Sequence, residues 1–116
     1  MLKKILYLFC AGVIALSFQA CSATKSGTGA NAITYTNNVK AIIDANCAST
    51  CHNAAKPAGG IDLTNYNAVK SQTLDGLLIK AIQHAEGADP MPKKAPKMDD
   101  ATIALIVSWA NANAPE

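Results

Sequence analysis

The chain of 116 residues contains no arginine, and aromatic residues make up only 5% of it. After position 20, eight lysines stand against eight aspartates and glutamates. That balance argues against a nucleic-acid binder, which carries a basic excess. Beyond Cys21 the aromatics are Tyr35, Tyr66 and Trp109. A small domain with so few large side chains has trouble filling a core unaided, so something apolar from outside the chain would help it. Alternating apolar and polar runs are absent, as are internal repeats, and no strand-built architecture is expected. Nor is there a Ser/His/Asp set or a carboxylate pair that suggests catalysis, so the chain does not read as an enzyme.

What is present begins with two segments that precede the fold. Lys3 and Lys4 open the chain, and Ile5 to Phe18 is an almost unbroken apolar run. Small residues and Cys21 follow. This is the layout of a secretory signal peptide over residues 1–20, and the run is short for a membrane span, the alternative reading. The stretch "LSFQAC" ending at Cys21 resembles a bacterial lipobox. The resemblance implies that Cys21 becomes the first mature residue and carries acyl chains, two or more of which anchor a protein stably to a membrane. A plain signal peptide cut nearby is the alternative. Ser22 after that cysteine implies the outer membrane, by resemblance to bacterial sorting rules. Residues 22–32, "SATKSGTGANA", are small and polar and read as a flexible tether spanning roughly 18 Å. The organisation is therefore a signal peptide (1–20), a lipidated cysteine with its tether (21–33) and one domain (34–116).

Within that domain the apolar residues follow a helical period. Thr36 or Asn37 is expected to cap a first helix carrying Val39, Ile42 and Ile43, and Cys47 continues the same face. From Asn53 to Tyr66, Pro57, Gly59 and Gly60 break regular structure, while Ile61 and Leu63 can pin the loop to a core. Leu74, Leu77, Leu78, Ala81 and Ile82 mark a second amphipathic helix. Residues 88–98, "ADPMPKKAPKM", hold three prolines and read as a stiff, extended loop. Asp99 or Asp100 starts a last helix with Ile103, Ile106, Val107 and Ala110 on one face, widened by Leu105 and Trp109. The fold class is all-α, with three to four helices and long loops.

The chemistry concentrates in "NCASTCH", which holds Cys47, Cys51 and His52. A C-x-x-C-H run marks covalent haem attachment, and here one extra residue separates the cysteines. In an oxidising compartment free thiols tend to become disulfides. A bond between Cys47 and Cys51 would close only a short loop and constrain the unfolded chain little. A zinc site is a further alternative, but structural zinc takes four ligands and only His84 could join as a strong fourth. Thioether bonds to the two vinyl groups of a porphyrin would use both sulfurs, and the adjacent histidine would supply an axial ligand to iron. The extra residue falls where it can bulge outward without moving the Cys51–His52 pair.

The order of helix, cysteine–histidine cluster, glycine-bearing loop, helix, Met-Pro loop and Trp-bearing final helix resembles the class I c-type cytochromes. The likeness is to the small bacterial monohaem subgroup with a C-x-x-x-C-H motif. It covers about residues 35–114 and rests on "NCASTCH", "GGIDLTNY", Met91-Pro92 and "ATIALIVSWANANAP". It implies a cytochrome c-like fold packed around one covalent haem c. Cys47 and Cys51 would form the thioethers, and His52 and Met91 would be the axial iron ligands. Met98, at a position where the family places an apolar residue, is the alternative to Met91, and His84 an outside candidate. The backbone carbonyl of Pro57 is expected to accept from the other ring nitrogen of His52. Pro90 and Pro92 would stiffen the Met91 loop. Lys56, Lys93, Lys94 and Lys97 could form a positive patch that steers an acidic redox partner, or be an ordinarily solvated loop. The implied function is electron transfer by a monomeric, membrane-tethered shuttle of the periplasm or cell envelope, with transient redox protein partners. The alternative is a haem-based ligand-binding sensor or a peroxidase-like protein with an open distal site.

Overall fold

Thr34 begins the first helix. Its hydroxyl accepts from the backbone N–H of Asn37 at 3.2 Å, and its own N–H donates to the Asn38 side chain at 3.0 Å. The computed structural model describes residues 32–116, so the expectations for the signal peptide, Cys21 and most of the tether lie outside the described residues. The sequence places the cap at Thr36 or Asn37. The helix starts earlier because Thr34 is extended and offers its oxygen to the first turn.

Helix α1 (35–48) runs without a break through Tyr35–Val39, Lys40–Ile43 and Asp44–Ala48, and its first and last parts are wider π turns. Tyr35, Val39, Ile43 and Cys47 fall at a strict four-residue spacing along it. An α-helix with 3.6 residues per turn would rotate such a stripe by about 40° at each step. The π turns, bonded i to i+5, rotate less per residue and hold the stripe on one face. Tyr35, Val39 and Ile43 are buried by it, and Cys47 is half-buried against the core.

The chain then makes a two-residue antiparallel ladder, β1 (His52–Asn53) with β2 (Lys56–Pro57), in which His52 faces Pro57 and Asn53 faces Lys56. The sequence carries no strand pattern, and this ladder is too short to need one. It is closed by the Asn53 side chain, which accepts from Lys56 N–H at 2.9 Å and donates to the Ala48 carbonyl at the end of α1, also at 2.9 Å.

A helix absent from the sequence reading follows. Helix α2 (Tyr66–Leu74) is capped by Asn65, whose side chain accepts from Ala68 N–H at 3.0 Å. Its buried residues are Val69 and Thr73 alone, too few to show a stripe. The leucine pattern from Leu74 to Ile82, read as one helix, is broken. Residues 75–77 are non-helical and α3 is Leu78–Gln83. Leu78 and Ile82 face the core, whereas Leu74 and Leu77 are exposed. Gly76 stands at the break, where a β-carbon would lie 2.5 Å from the Gln72 side-chain oxygen and 2.9 Å from Gln72 backbone atoms.

Helix α4 (Asp100–Asn111) starts as expected, with Asp99 accepting from Thr102 N–H at 2.9 Å and from its hydroxyl at 2.7 Å. Ile103, Ile106 and Trp109 point inward. The α4 helix packs on the start of α1, on α2 and on α3. The fold among the described residues is therefore mostly helical, as the sequence predicts. Tyr35 joins the layers, with its ring centroid 5.3 Å from that of Tyr66 and 6.1 Å from that of Trp109. No helix among the described residues is long and apolar enough to cross a membrane.

Candidate functional site

The core does not close on every side. Leu63, Leu78 and Ile82 belong to the buried cluster and also form part of the wall of a cleft of about 900 Å³. That volume lies near the upper end for sites that take small molecules and cofactors. Cys47, Cys51, His52, Met91 and Met98 all line this cleft. Five of the residues singled out by the sequence thus share one cavity, although 38 positions of chain lie between His52 and Met91. A second depression, of about 370 Å³ beside Asp44, Ser49 and Asn53, holds none of them.

Cys47 reaches the cleft from the inner stripe of α1. Burial pushes its thiol up to about 11, which keeps it protonated near neutrality. Cys51 lies beyond the helix end and is exposed. Both thiols are free, so the short disulfide is not formed. Nor do three or more His, Cys, Asp or Glu side chains among the described residues converge as a metal-binding group, a geometry unlike that of a four-ligand zinc centre.

His52 is held by its backbone and its ring. Its carbonyl accepts from Leu63 N–H at 2.8 Å, and Nδ1 lies 3.2 Å from the Ile61 carbonyl oxygen. A carbonyl can only accept, so Nδ1 carries the proton. In the neutral ring this leaves the lone pair on Nε2, the tautomer a metal-ligating histidine needs. The expected partner was the Pro57 carbonyl. The structure puts the Ile61 carbonyl there instead, while Pro57 lies opposite His52 in the short ladder. Gly59 and Gly60, at φ 64° and 75°, then turn the chain and bring Ile61 back to the ring. A backbone partner leaves no mark in a sequence, but the glycine pair before Ile61 was the available signal.

The two methionines differ. Met98 packs against the core cluster as well as lining the cleft, whereas Met91 lines the cleft without belonging to that packing. Met91 N–H donates to the Ala81 carbonyl at 3.0 Å, and its carbonyl lies 3.1 Å from Nε2 of His84. His84 itself is exposed at the end of α3 and is not part of the cleft lining.

The four lysines do not present four free charges. Lys93 is paired with Asp89 at 2.9 Å and Lys97 with Asp100 at 3.1 Å. Lys56 and Lys94 are exposed. Of the four, only Lys93 lines the cleft. Comparison with known proteins finds no matching family model, curated protein or solved structure.

Proposed function

We propose that the cleft takes a haem c and that the protein is an electron-transfer protein of the class I cytochrome c type, with a cytochrome c-like fold. One observation carries the reading. The Cys-x-x-x-Cys-His cluster and a Met-Pro methionine, distant in sequence, line one apolar-walled cleft of cofactor size. The residues fit the group: two free thiols, a histidine with its Nε2 lone pair available, and a thioether sulfur. When bound, the group supplies an iron centre that gains and loses one electron.

The chain's own residues do the rest. Cys47 and Cys51 would hold the group as thioethers. His52 donates its Nε2 lone pair, fixed in orientation by the Ile61 carbonyl. Met91 offers its sulfur from a loop bounded by Pro90 and Pro92. Leu63, Leu78 and Ile82 exclude water, which lowers the dielectric around the site and, with the methionine ligand, favours a raised potential. With His52 and Met91 both committed to the group, no site would be left open to substrate, which fits a redox shuttle with transient partners better than an enzyme. Lys56 and Lys94, exposed and outside the two loop ion pairs, are the charges of the four left to steer an acidic partner. Export, acylation of Cys21 and attachment to a bacterial membrane of the cell envelope complete the proposal.

The test is the protein purified from a host able to mature such proteins. Its mass must include one haem, with acyl mass on Cys21, and the ferric protein must show a methionine-to-iron charge-transfer band. Met91→Ala abolishes that band and Met98→Ala leaves it. A colourless, folded product with unmodified thiols defeats the proposal. A high-spin, ligand-accessible spectrum favours the sensor or peroxidase-like alternative instead.

A further inference from the structure

Helix α3 ends in a Schellman motif. Ala85 N–H donates to the Lys80 carbonyl at 2.9 Å and His84 N–H to the Ala81 carbonyl at 3.2 Å, with His84 between them in the left-handed conformation at φ 56°. Glycine is the residue that takes this position at no steric cost. A histidine there strains the backbone, and the residue is exposed, not part of the buried core. The ring does make a hydrogen bond, from Nε2 to the Met91 carbonyl at 3.1 Å. Because a carbonyl only accepts, Nε2 is the donor. The neutral Nε2–H tautomer and the imidazolium both meet that need, so the contact does not require a charged ring.

The same turn of α3 holds the other side of Met91, whose N–H donates to the Ala81 carbonyl at 3.0 Å. Met91 is therefore tied to α3 through both its backbone groups, and Ala81 and Ile82 of that helix line the cleft. We propose that His84 is a positioning residue that holds Met91 at the cleft by donating from Nε2 to the Met91 carbonyl. The proposal rests on the reading of Met91 as an iron ligand. His84 does not touch the cofactor. It restricts where the Met91 backbone, and with it the sulfur, can go, and so opposes departure of the sulfur from iron.

The test uses the mature haem protein with His84→Gly and His84→Gln. Glycine relieves the strain at the cap, so a merely structural residue would leave the denaturation midpoint of His84→Gly unchanged or raised and the Met91 site untouched. The positioning role predicts that same midpoint together with a site that opens. Exogenous imidazole should displace Met91 from the ferric protein about fivefold more readily, the factor one net hydrogen bond is worth. Exchange of the Met91 amide should quicken by a similar factor. His84→Gln, whose amide nitrogen can stand in for Nε2, restores most of both. If His84→Gly leaves imidazole affinity, charge-transfer band and Met91 amide exchange unchanged, the proposal fails while Met91 remains a ligand. If the site weakens only in step with the denaturation midpoint, His84 acts on the fold and the proposal also fails. If the unmutated protein lacks the charge-transfer band, the ligand reading itself fails and takes this proposal with it.

Discussion

Cys47 and Tyr35 lie on the same stripe of α1, and burial acts on each in a way that can be measured. Burial holds the Cys47 thiol at about 11, against an ordinary value of 9.0. Between these values the folded state keeps a proton that the unfolded chain has lost, so stability falls as pH rises. The form with free thiols should therefore lose unfolding free energy from about pH 9 to about pH 11, and Cys47→Ala should flatten that slope. A thioether sulfur does not titrate, so the haem-bearing form should lack this slope altogether. Denaturant titrations at several pH values check both statements. Tyr35 is a second case. Its hydroxyl is buried and finds no partner among the described residues, and burial pushes its pKa above the ordinary value. A buried donor without a partner costs free energy that its removal returns. Tyr35→Phe should keep the ring contacts with Tyr66 and Trp109 and change stability by between zero and about +1 kcal/mol. A clear loss of stability in chemical denaturation would mean that the hydroxyl has a partner after all.

At the scale of elements, the break between α2 and α3 decides which leucines face the core. Asp75 ends α2 and Gly76 leaves room for the chain to pass close to Gln72. An added β-carbon would meet not only the movable tip of Gln72 but its backbone at 2.9 Å. Gly76→Ala should therefore cost about 1–3 kcal/mol, as overpacking does, with a matching fall in thermal midpoint. An unchanged midpoint would show that the turn yields freely. The same break explains why the leucine pattern misleads. Leu74 and Leu78 are one helical turn apart in sequence but sit on different helices, and only Leu78 is buried. The α2 helix was hidden for the opposite reason: its cap, Asn65, is legible, but its inner face is a valine and a threonine. Thr73 meets its burial by donating to the Val69 carbonyl at 2.7 Å.

For the whole molecule, the last residues act as a clasp. The Pro115 carbonyl accepts from Tyr35 N–H at 2.9 Å and from Trp109 Nε1 at 2.8 Å, and the Ala114 carbonyl accepts from the Tyr66 hydroxyl at 2.8 Å. The starts of α1 and α2 and the end of α4 are thereby joined at one point. Removing residues 114–116 leaves these donors without partners and uncovers Trp109, which is fully buried. The expected loss is about 2 kcal/mol or more, read as a lower midpoint in thermal or denaturant unfolding. A truncated chain as stable as the whole would refute the clasp. This closure lies apart from the open cleft, so in the proposed reading one part of the core is sealed by the chain and another by its cofactor.

The cysteine–histidine cluster and the helical class were determined by the sequence. Cys47, Cys51 and His52 are local, their adjacency is covalent, and the strong apolar periods of α1 and α4 reach the core with little outside help. The cap of α4 was legible to within one residue, Asp99 or Asp100, because a side-chain oxygen at a helix start acts within that turn, and the structure puts it at Asp99. Tertiary structure decided what depends on distant backbone atoms. It chose Ile61 over Pro57 as the partner of His52, since two glycines redirect the chain between them. It set Met91 in the cleft and packed Met98 partly into the core, tied the Met91 backbone to α3 through Ala81 and His84, and broke the leucine stripe at Gly76. A carbonyl looks the same whichever side chain it belongs to, so partners of this kind are fixed only when the chain has folded.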